Sequence, residues 1–294
     1  YYSVDAETGQ VGPEVAEFLG LPQITSVQGL DLRDDGRIWA ERIMEEGTQE
    51  VDCRLPAVVS VTEGIAPEIF PTIEEIRTAE SRDITEISAA ELSSDLSKFG
   101  AAGSPTWVSE IQIVESTRQQ QLIEDDSMER AAATVVDFLR DRNLLFRDGQ
   151  TNERLVPAVH SSVRASAGPS VWVISEIGDH GVKAVSKELL GAAQEIADSV
   201  GGHVTAVLIG GDGVDVNVRE LGKFGADEVL VIADQSLQIY TTEAYVLTLS
   251  ELITNEHPYA VLVASTVNGR DMAARIAARL ELGLTGDCIG LNVD

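Results

Sequence analysis

From Ser170 onward, short apolar runs alternate with helix-length amphipathic stretches, and no other feature restricts the fold of this chain as tightly. Val171–Ser175, Val204–Ile209, Glu228–Ile232 and Ala260–Ala264 are apolar without period-two alternation, the pattern of strands buried on both faces. Between and after them the spacing predicts helices over Val185–Val200, Val214–Phe224, Thr242–Asn255 and Arg270–Leu282. In the first of these, Val185, Leu189, Ala193, Ile196 and Val200 form one apolar stripe. Such alternation predicts an α/β fold, with a doubly wound, Rossmann-like parallel sheet over residues 170–294.

The earlier residues follow a different plan. A short helix is expected over Glu14–Leu19, with Pro13 at its first position and Gly20 at its end. A β-meander follows: Ile24–Leu32 and Arg37–Met44 flank the hairpin signal Asp34-Asp35-Gly36, and Thr48–Arg54 and Leu55–Val61 continue it. Pro67 and Pro71 make Thr62–Thr72 a loop, with a helix over Ile73–Ala79 after it. Ala132, Val135, Val136 and Leu139 mark an amphipathic helix over Asp126–Arg142, after which Phe146–Pro169 loses periodicity. Three regions result: 1–146, a linker at 147–169, and 170–294.

Charge narrows the function. Of 294 residues, 49 are Asp or Glu and 21 are Lys or Arg, a formal net charge of −28, so nucleic acid and anionic membrane surfaces are excluded as natural partners. The lysines are Lys98, Lys183, Lys187 and Lys223, the other cations being Arg, and an acidic, Lys-poor chain suits a cytosol at molar salt. This is the expectation of a halophilic protein. Cys53 and Cys288 lie far apart and no His, Cys or carboxylate spacing suits a metal, so a reducing, cytoplasmic setting without a metal centre is expected. No run approaches the length of a membrane helix, so no direct membrane insertion is expected. The start, Tyr1-Tyr2-Ser3-Val4-Asp5, has neither an initiator Met nor a signal-peptide pattern, and reads as the interior of a longer chain.

The best candidate site is the loop Asp5-Ala6-Glu7-Thr8-Gly9-Gln10-Val11-Gly12-Pro13. Successive backbone N–H groups ahead of a helix can cradle a phosphate without lysine, although a plain capped turn fits the same spacing. Gly210-Gly211-Asp212-Gly213 lacks the dinucleotide spacing and follows the second strand of its domain, so it reads as a connecting loop. In Asn268-Gly269-Arg270-Asp271, Asn268 is placed to cap a helix and Asp271 to reach Arg275. His160, His180, His203 and His257 fall in no catalytic pattern and there is no nucleophile elbow, so no catalytic residue is assigned. Any redox chemistry would belong to a bound cofactor.

Several stretches carry a resemblance. Residues 264–280, including Asn268-Gly269-Arg270-Asp271, and Gly283-Leu284-Thr285-Gly286-Asp287-Cys288 resemble the first domain of the electron-transfer flavoprotein α subunit. So do Val171–Glu176, Phe224-Gly225-Ala226-Asp227 and Tyr240–Tyr245, in the family order. Ser3–Pro13, Phe18–Gln23 and Leu55–Gly64 are similar to the C-terminal half of its β subunit. The resemblance implies a fused β–α polypeptide and an electron carrier, a redox relay rather than a substrate-turning enzyme. It implies that Asp5, Glu7, Thr8, Gly9, Gln10, Val11, Gly12 and Pro13 hold AMP or, in an electron-bifurcating variant, a second FAD. The main FAD would lie in a domain after Asp294, and the first half of the β part before Tyr1. The loop after Gly64 is implied to dock partner dehydrogenases, such as an acyl-CoA dehydrogenase of fatty acid oxidation, through Ile65, Ile69 and Phe70. It reads Ile65-Ala66-Pro67-Glu68-Ile69-Phe70 where the family commonly carries an Asn-Glu-Pro-Arg run. Electrons would pass on to an electron-transfer flavoprotein:quinone oxidoreductase. A non-redox adenine-nucleotide-binding scaffold or sensor keeps the loop but needs no flavin, and a nicotinamide-dependent dehydrogenase would need a fingerprint that this chain lacks.

Overall fold

A computed structural model describes residues 8–112, 123, 127–142 and 168–293. They fall into two compact units, one of residues 8–107 with 168–293, the other the described part of 108–160.

The first unit opens with helix α1 (Val11–Leu19), closed by Gly20 in the left-handed conformation that a residue without a side chain adopts freely. Strands β1 (Gln23–Leu32), β2 (Arg37–Met44) and β3 (Gly47–Arg54) form an antiparallel meander, turned at Asp34-Asp35-Gly36 as the sequence predicts. Strand β4 (Val58–Val61) departs from that expectation. It returns across the sheet to lie parallel to β1, giving the order β3-β2-β1-β4. The reason is burial: Ile24, Val27, Ile38 and Ala40 form the core of this sheet, and β4 covers it by bringing Val59 beside them. Beyond it lie helices α2 (Ile73–Glu80) and α3 (Ala89–Leu92), each with a capping box, Thr72 with Glu75 and Ser88 with Glu91. Neither helix buries a residue.

Strands β5 (Ser170–Ser175), β8 (His203–Gly210), β9 (Glu228–Ala233) and β10 (Ala260–Leu262) form the parallel sheet, in the order β10-β5-β8-β9. A small hairpin of β6 (Ile177–Gly178) and β7 (Gly181–Val182) follows β5, an element the sequence pattern is too short to reveal. Helices α5 (Ala184–Val200) and α6 (Val218–Lys223) cover one face, where Leu190, Ala193 and Leu221 meet Val171, Val173 and Leu208. Helices α7 (Thr242–Glu256) and α8 (Val267–Leu280) cover the other, where Leu249, Met272 and Ile276 meet Trp172, Ile174 and Val207. The doubly wound parallel α/β architecture is thus the one that the apolar runs predict. The helix expected over 214–224 is split into a 3₁₀ turn at Val214–Asn217 and α6.

Because α5 and α8 leave the adjacent strands β5 and β10 on opposite faces, the strand order reverses between them, which opens a crevice at their carboxyl ends. In the second unit, α4 (Met128–Asp141) is capped by Ser127, whose hydroxyl accepts from the Arg130 amide. Residue 126, where the sequence starts this helix, lies outside the described residues, as do linker residues 147–167. Among the described residues no helix is long and apolar enough to cross a membrane.

Candidate functional site

Asp5, Ala6 and Glu7 of the candidate loop lie outside the described residues. Thr8, Gly9 and Gln10 lead directly into α1, which starts at Val11, so Pro13 stands third in the helix rather than first. Gly9 has φ 67°, a left-handed turn that would strain a side chain. Gln10 occupies the cap position without a side-chain hydrogen bond to the helix. The first-turn N–H groups of Val11 and Gly12 have no intrahelical acceptors, and Pro13, which is buried, has no N–H to offer. The nearest described atom to a Cβ built on Gly12 would be Ser60 Cβ, 4.0 Å away, so the Gly12 Cα is not crowded. This donor set fits a phosphate oxygen. Glu14, in the same first turn, is half-buried, and burial pushes its carboxyl above the ordinary range.

One wall of the loop comes from the other end of the chain. After α8 the chain turns at Glu281 (φ 55°) and runs through Gly283–Asp287. A Cβ on Gly286 would stand 2.9 Å from Thr8 Cγ2 and 3.6 Å from Gln10 Oε1. The segment therefore passes against Thr8 and Gln10. Arg270 Nη2 donates to Asp287 Oδ1 at 2.6 Å, tying it back to the first turn of α8.

Helix α8 is the seam between the two sheets. At its start the Thr266 hydroxyl accepts from the Gly269 amide at 3.0 Å, so Thr266 is the cap and Asn268 lies inside the helix, which starts at Val267, three residues earlier than the sequence suggests. A Cβ on Gly269 would come within 2.0 Å of the Ala264 carbonyl oxygen, so the helix meets the strand end closely enough to require glycine there. The Thr266 hydroxyl also donates to Glu176, and the Val267 amide donates to Glu45 of the β2–β3 turn. Two carboxylates thus occupy the helix end at the crevice. Asp271 does not reach Arg275. It accepts from Arg42 Nη2 at 2.8 Å and from the Thr25 hydroxyl at 2.9 and 2.6 Å, in a site where the Asp271 and Arg42 side chains are 1% and 7% exposed. Burial raises the Asp271 pKa, against the opposing pull of Arg42 and Thr25. Nearby, the Tyr240 hydroxyl donates to the Asn268 carbonyl at 3.0 Å, and burial lifts its pKa above the ordinary range.

Further along α8, Arg275 and Arg279 donate to the two oxygens of Glu17 on α1, at 2.7 and 2.6 Å. Burial pushes Glu17 up, but these two guanidinium groups outweigh it and hold its carboxyl below the usual range. Thr25, Arg42 and Glu17 were not among the sequence candidates. The signal was there for two of them: Arg42 shares the inward register of Ile38 and Ala40, and Glu17 lies four residues after the buried Pro13, on the same face of α1.

Ile65 is half-buried and packs against the core of the first sheet, whereas Ile69 and Phe70 are 90% and 82% exposed. The loop Gly210–Gly213 has no room for a pyrophosphate at its second glycine, where a Cβ would come within 2.9 Å of Gln238 Cα. A separate cleft of about 570 Å³ is lined by Glu46 and Gly178–Val185 and by none of residues 8–13.

The 124 residues matched in the curated relatives cover 42% of this chain. They are 41% identical to Protein FixB of Clostridium saccharobutylicum and 43% identical to the electron transfer flavoprotein subunit alpha of Thermoanaerobacterium thermosaccharolyticum. The acryloyl-CoA reductase electron transfer subunit beta of Anaerotignum propionicum is 36% identical over the same length. The matched part spans 36%, 37% and 34% of those proteins, about a third of each. The electron transfer flavoprotein domain matches residues 3–92 and again 171–294, on both sides of the second unit. With both sheets matched, the chain belongs to the electron transfer flavoprotein family.

Proposed function

We propose that this chain is the junction of a fused electron-transfer flavoprotein, with a β-type part over 1–146, a linker at 147–169 and the first α-type domain over 170–294. The observation that carries the reading is the two-part family match within one polypeptide, whose matched sheets share the seam along α8. The whole protein would act as an electron carrier. It would take electrons from a dehydrogenase and deliver them to an electron-transfer flavoprotein:quinone oxidoreductase. The name of the Anaerotignum relative favours a partner that works on acyl-CoA thioesters, such as an acyl-CoA dehydrogenase.

FAD supplies the redox chemistry, and its main site would be in a further domain. In this chain, the backbone donors of Thr8–Gly12 would bind the phosphate of AMP or of a second FAD, and Asp5 and Glu7 would belong to the same nucleotide loop. Glu17, held by Arg275 and Arg279, orients α1 so that these donors face one way. Ile65, Ile69 and Phe70 would form the dehydrogenase-docking loop, with Ile69 and Phe70 already facing solvent.

The test is to denature the intact protein and identify the released cofactors by chromatography and mass. FAD, accompanied by AMP or by a second equivalent of FAD, is the expected result. A colourless protein that releases adenine nucleotide alone would replace the carrier with a nucleotide-binding scaffold.

A further inference from the structure

We propose that the nucleotide loop is a composite site, whose geometry is set by the Gly286 turn of the α-type domain, with Arg270 and Asp287 as positioning residues. The inference rests on the nucleotide reading of Thr8–Gly12 given above. Three observations converge on it. Gly286 lies so close to Thr8 that a single Cβ would have to displace it, at 2.9 Å from Cγ2 and 3.0 Å from Cβ. Thr8 immediately precedes Gly9, whose left-handed φ of 67° sets the direction of the next amides. The Gly286 turn is itself fixed, because Asp287 (φ 53°) accepts from Arg270 Nη2 at 2.6 Å, and Arg270 is in the first turn of α8.

Loop backbone donors bind phosphate only if their N–H vectors converge, and a free loop would have to be ordered at the moment of binding. Here the order is supplied in advance by a segment 277 residues away in sequence, from 9 to 286. The pin is electrostatic and partly exposed, with side-chain exposures of 19% and 32%, so it can be removed without opening the core. None of these residues touches the phosphate in the proposed arrangement; they act through Thr8.

The experiment measures AMP affinity by calorimetry in the full chain, and amide exchange at residues 8–13 in the nucleotide-free protein. Asp287→Asn suits the left-handed backbone and removes only the charge, and Gly286→Ala pushes directly on Thr8. Each should weaken AMP about tenfold, equivalent to about 1.4 kcal/mol, and speed exchange at Gly9–Gly12 with an unchanged melting temperature. Arg270→Lys, which keeps a cation opposite Asp287, should retain more of the affinity than Arg270→Met, a difference that a merely structural loss would not produce. If wild-type protein binds AMP and both variants bind it equally well, the positioning role is wrong while the nucleotide reading stands. If wild-type protein binds neither AMP nor FAD at this loop, the nucleotide reading falls, and unchanged exchange at Gly9–Gly12 in the variants would then overturn the pin as well.

Discussion

Replacing Asp271 by Ala would remove the only carboxylate that, among the described residues, pairs with the buried Arg42 guanidinium. Arg42 would keep two hydrogen bonds, Nε to the Thr25 carbonyl at 3.1 Å and Nη2 to the Thr25 hydroxyl at 2.7 Å. Its charge would then be uncompensated in a site where only 7% of its side chain meets solvent. Breaking a buried pair in this way costs about 3–5 kcal/mol, or on the order of 10 °C in melting temperature for a unit of this size. The reverse variant, Arg42→Met, should cost less. Arginine cannot shed its proton, whereas Asp271 can take one up, and burial already raises its pKa.

The sign of the pH dependence follows. A carboxyl whose folded pKa lies above its unfolded value binds more protons in the folded state, so its contribution falls as pH rises from the ordinary carboxylate range through the folded pKa. In Arg42→Met the opposing pull of the guanidinium is gone, so the decline with rising pH should steepen. The groups acting on Asp271 are Arg42, Thr25 and Gln23 of the first sheet, with Tyr240 close by, and of these Arg42 alone is cationic. The assay is urea denaturation of both variants and wild type between pH 5 and 8, on the order of the carboxylate-to-neutral range. The reasoning is refuted if Arg42→Met costs as much as Asp271→Ala, or if its cost is flat with pH.

Other outcomes are expected. Glu17→Gln should lose about 2 kcal/mol near neutrality, as expected for hydrogen bonds to charged groups, and little in acid. The lowered Glu17 pKa gives stability that is present above the ordinary carboxylate range and lost as pH falls through the folded value; a constant loss across the acid limb in denaturant titrations would contradict this. Ile65→Ala should weaken partner-dependent flavin reduction by about 1–2 kcal/mol in apparent affinity, and Ile69→Ala and Phe70→Ala should do so without moving the melting temperature. If Ile65→Ala melts early yet titrates normally, Ile65 serves the sheet alone. Melting temperature should rise from dilute to molar KCl as screening relieves the self-repulsion of a −28 chain; a flat or falling profile would set aside the high-salt reading.

What was legible in the sequence was local. The run Val204–Ile209 reads as a doubly buried strand and is one, and Asp34-Asp35-Gly36 turns the chain between β1 and β2. What was not legible depended on partners far away in the chain. Nothing in Val58–Val61 says that it will pair in parallel with Gln23–Val27, because pairing direction is decided by which face needs cover. The cap of α8 was misjudged for a related reason. Asn268 and Thr266 are both good caps, and the choice fell to Thr266 because its hydroxyl also meets Glu176 from the neighbouring strand end. The helical spacing of Asp271 and Arg275 suggested a pair, but Arg42 and Glu17 each offered a partner in a drier place.

Among the described residues, the cations paired along α8 and across to the first sheet are arginines: Arg42, Arg270, Arg275 and Arg279. That choice separates two electrostatic problems in this chain. On the surface, acidic groups far outnumber cations, and their mutual repulsion is long-ranged and screened by salt. In the seam, planar guanidinium groups bind carboxylates at 2.6–2.8 Å, and salt screens the buried pairs of Arg42 and Arg275 much less. Added salt should therefore stabilise the surface without loosening the junction. With lysine in the seam, each compact, strongly hydrated ammonium would have to be stripped of water, and a shift of its proton would become an alternative to pairing. An Arg275→Lys variant tests this difference. It should keep the net charge and the response to salt, yet lose stability because one ammonium cannot reproduce the guanidinium that reaches both Glu17 and Glu243. A variant as stable as wild type would mean that charge alone, and not the shape of the cation, holds α1 to α8.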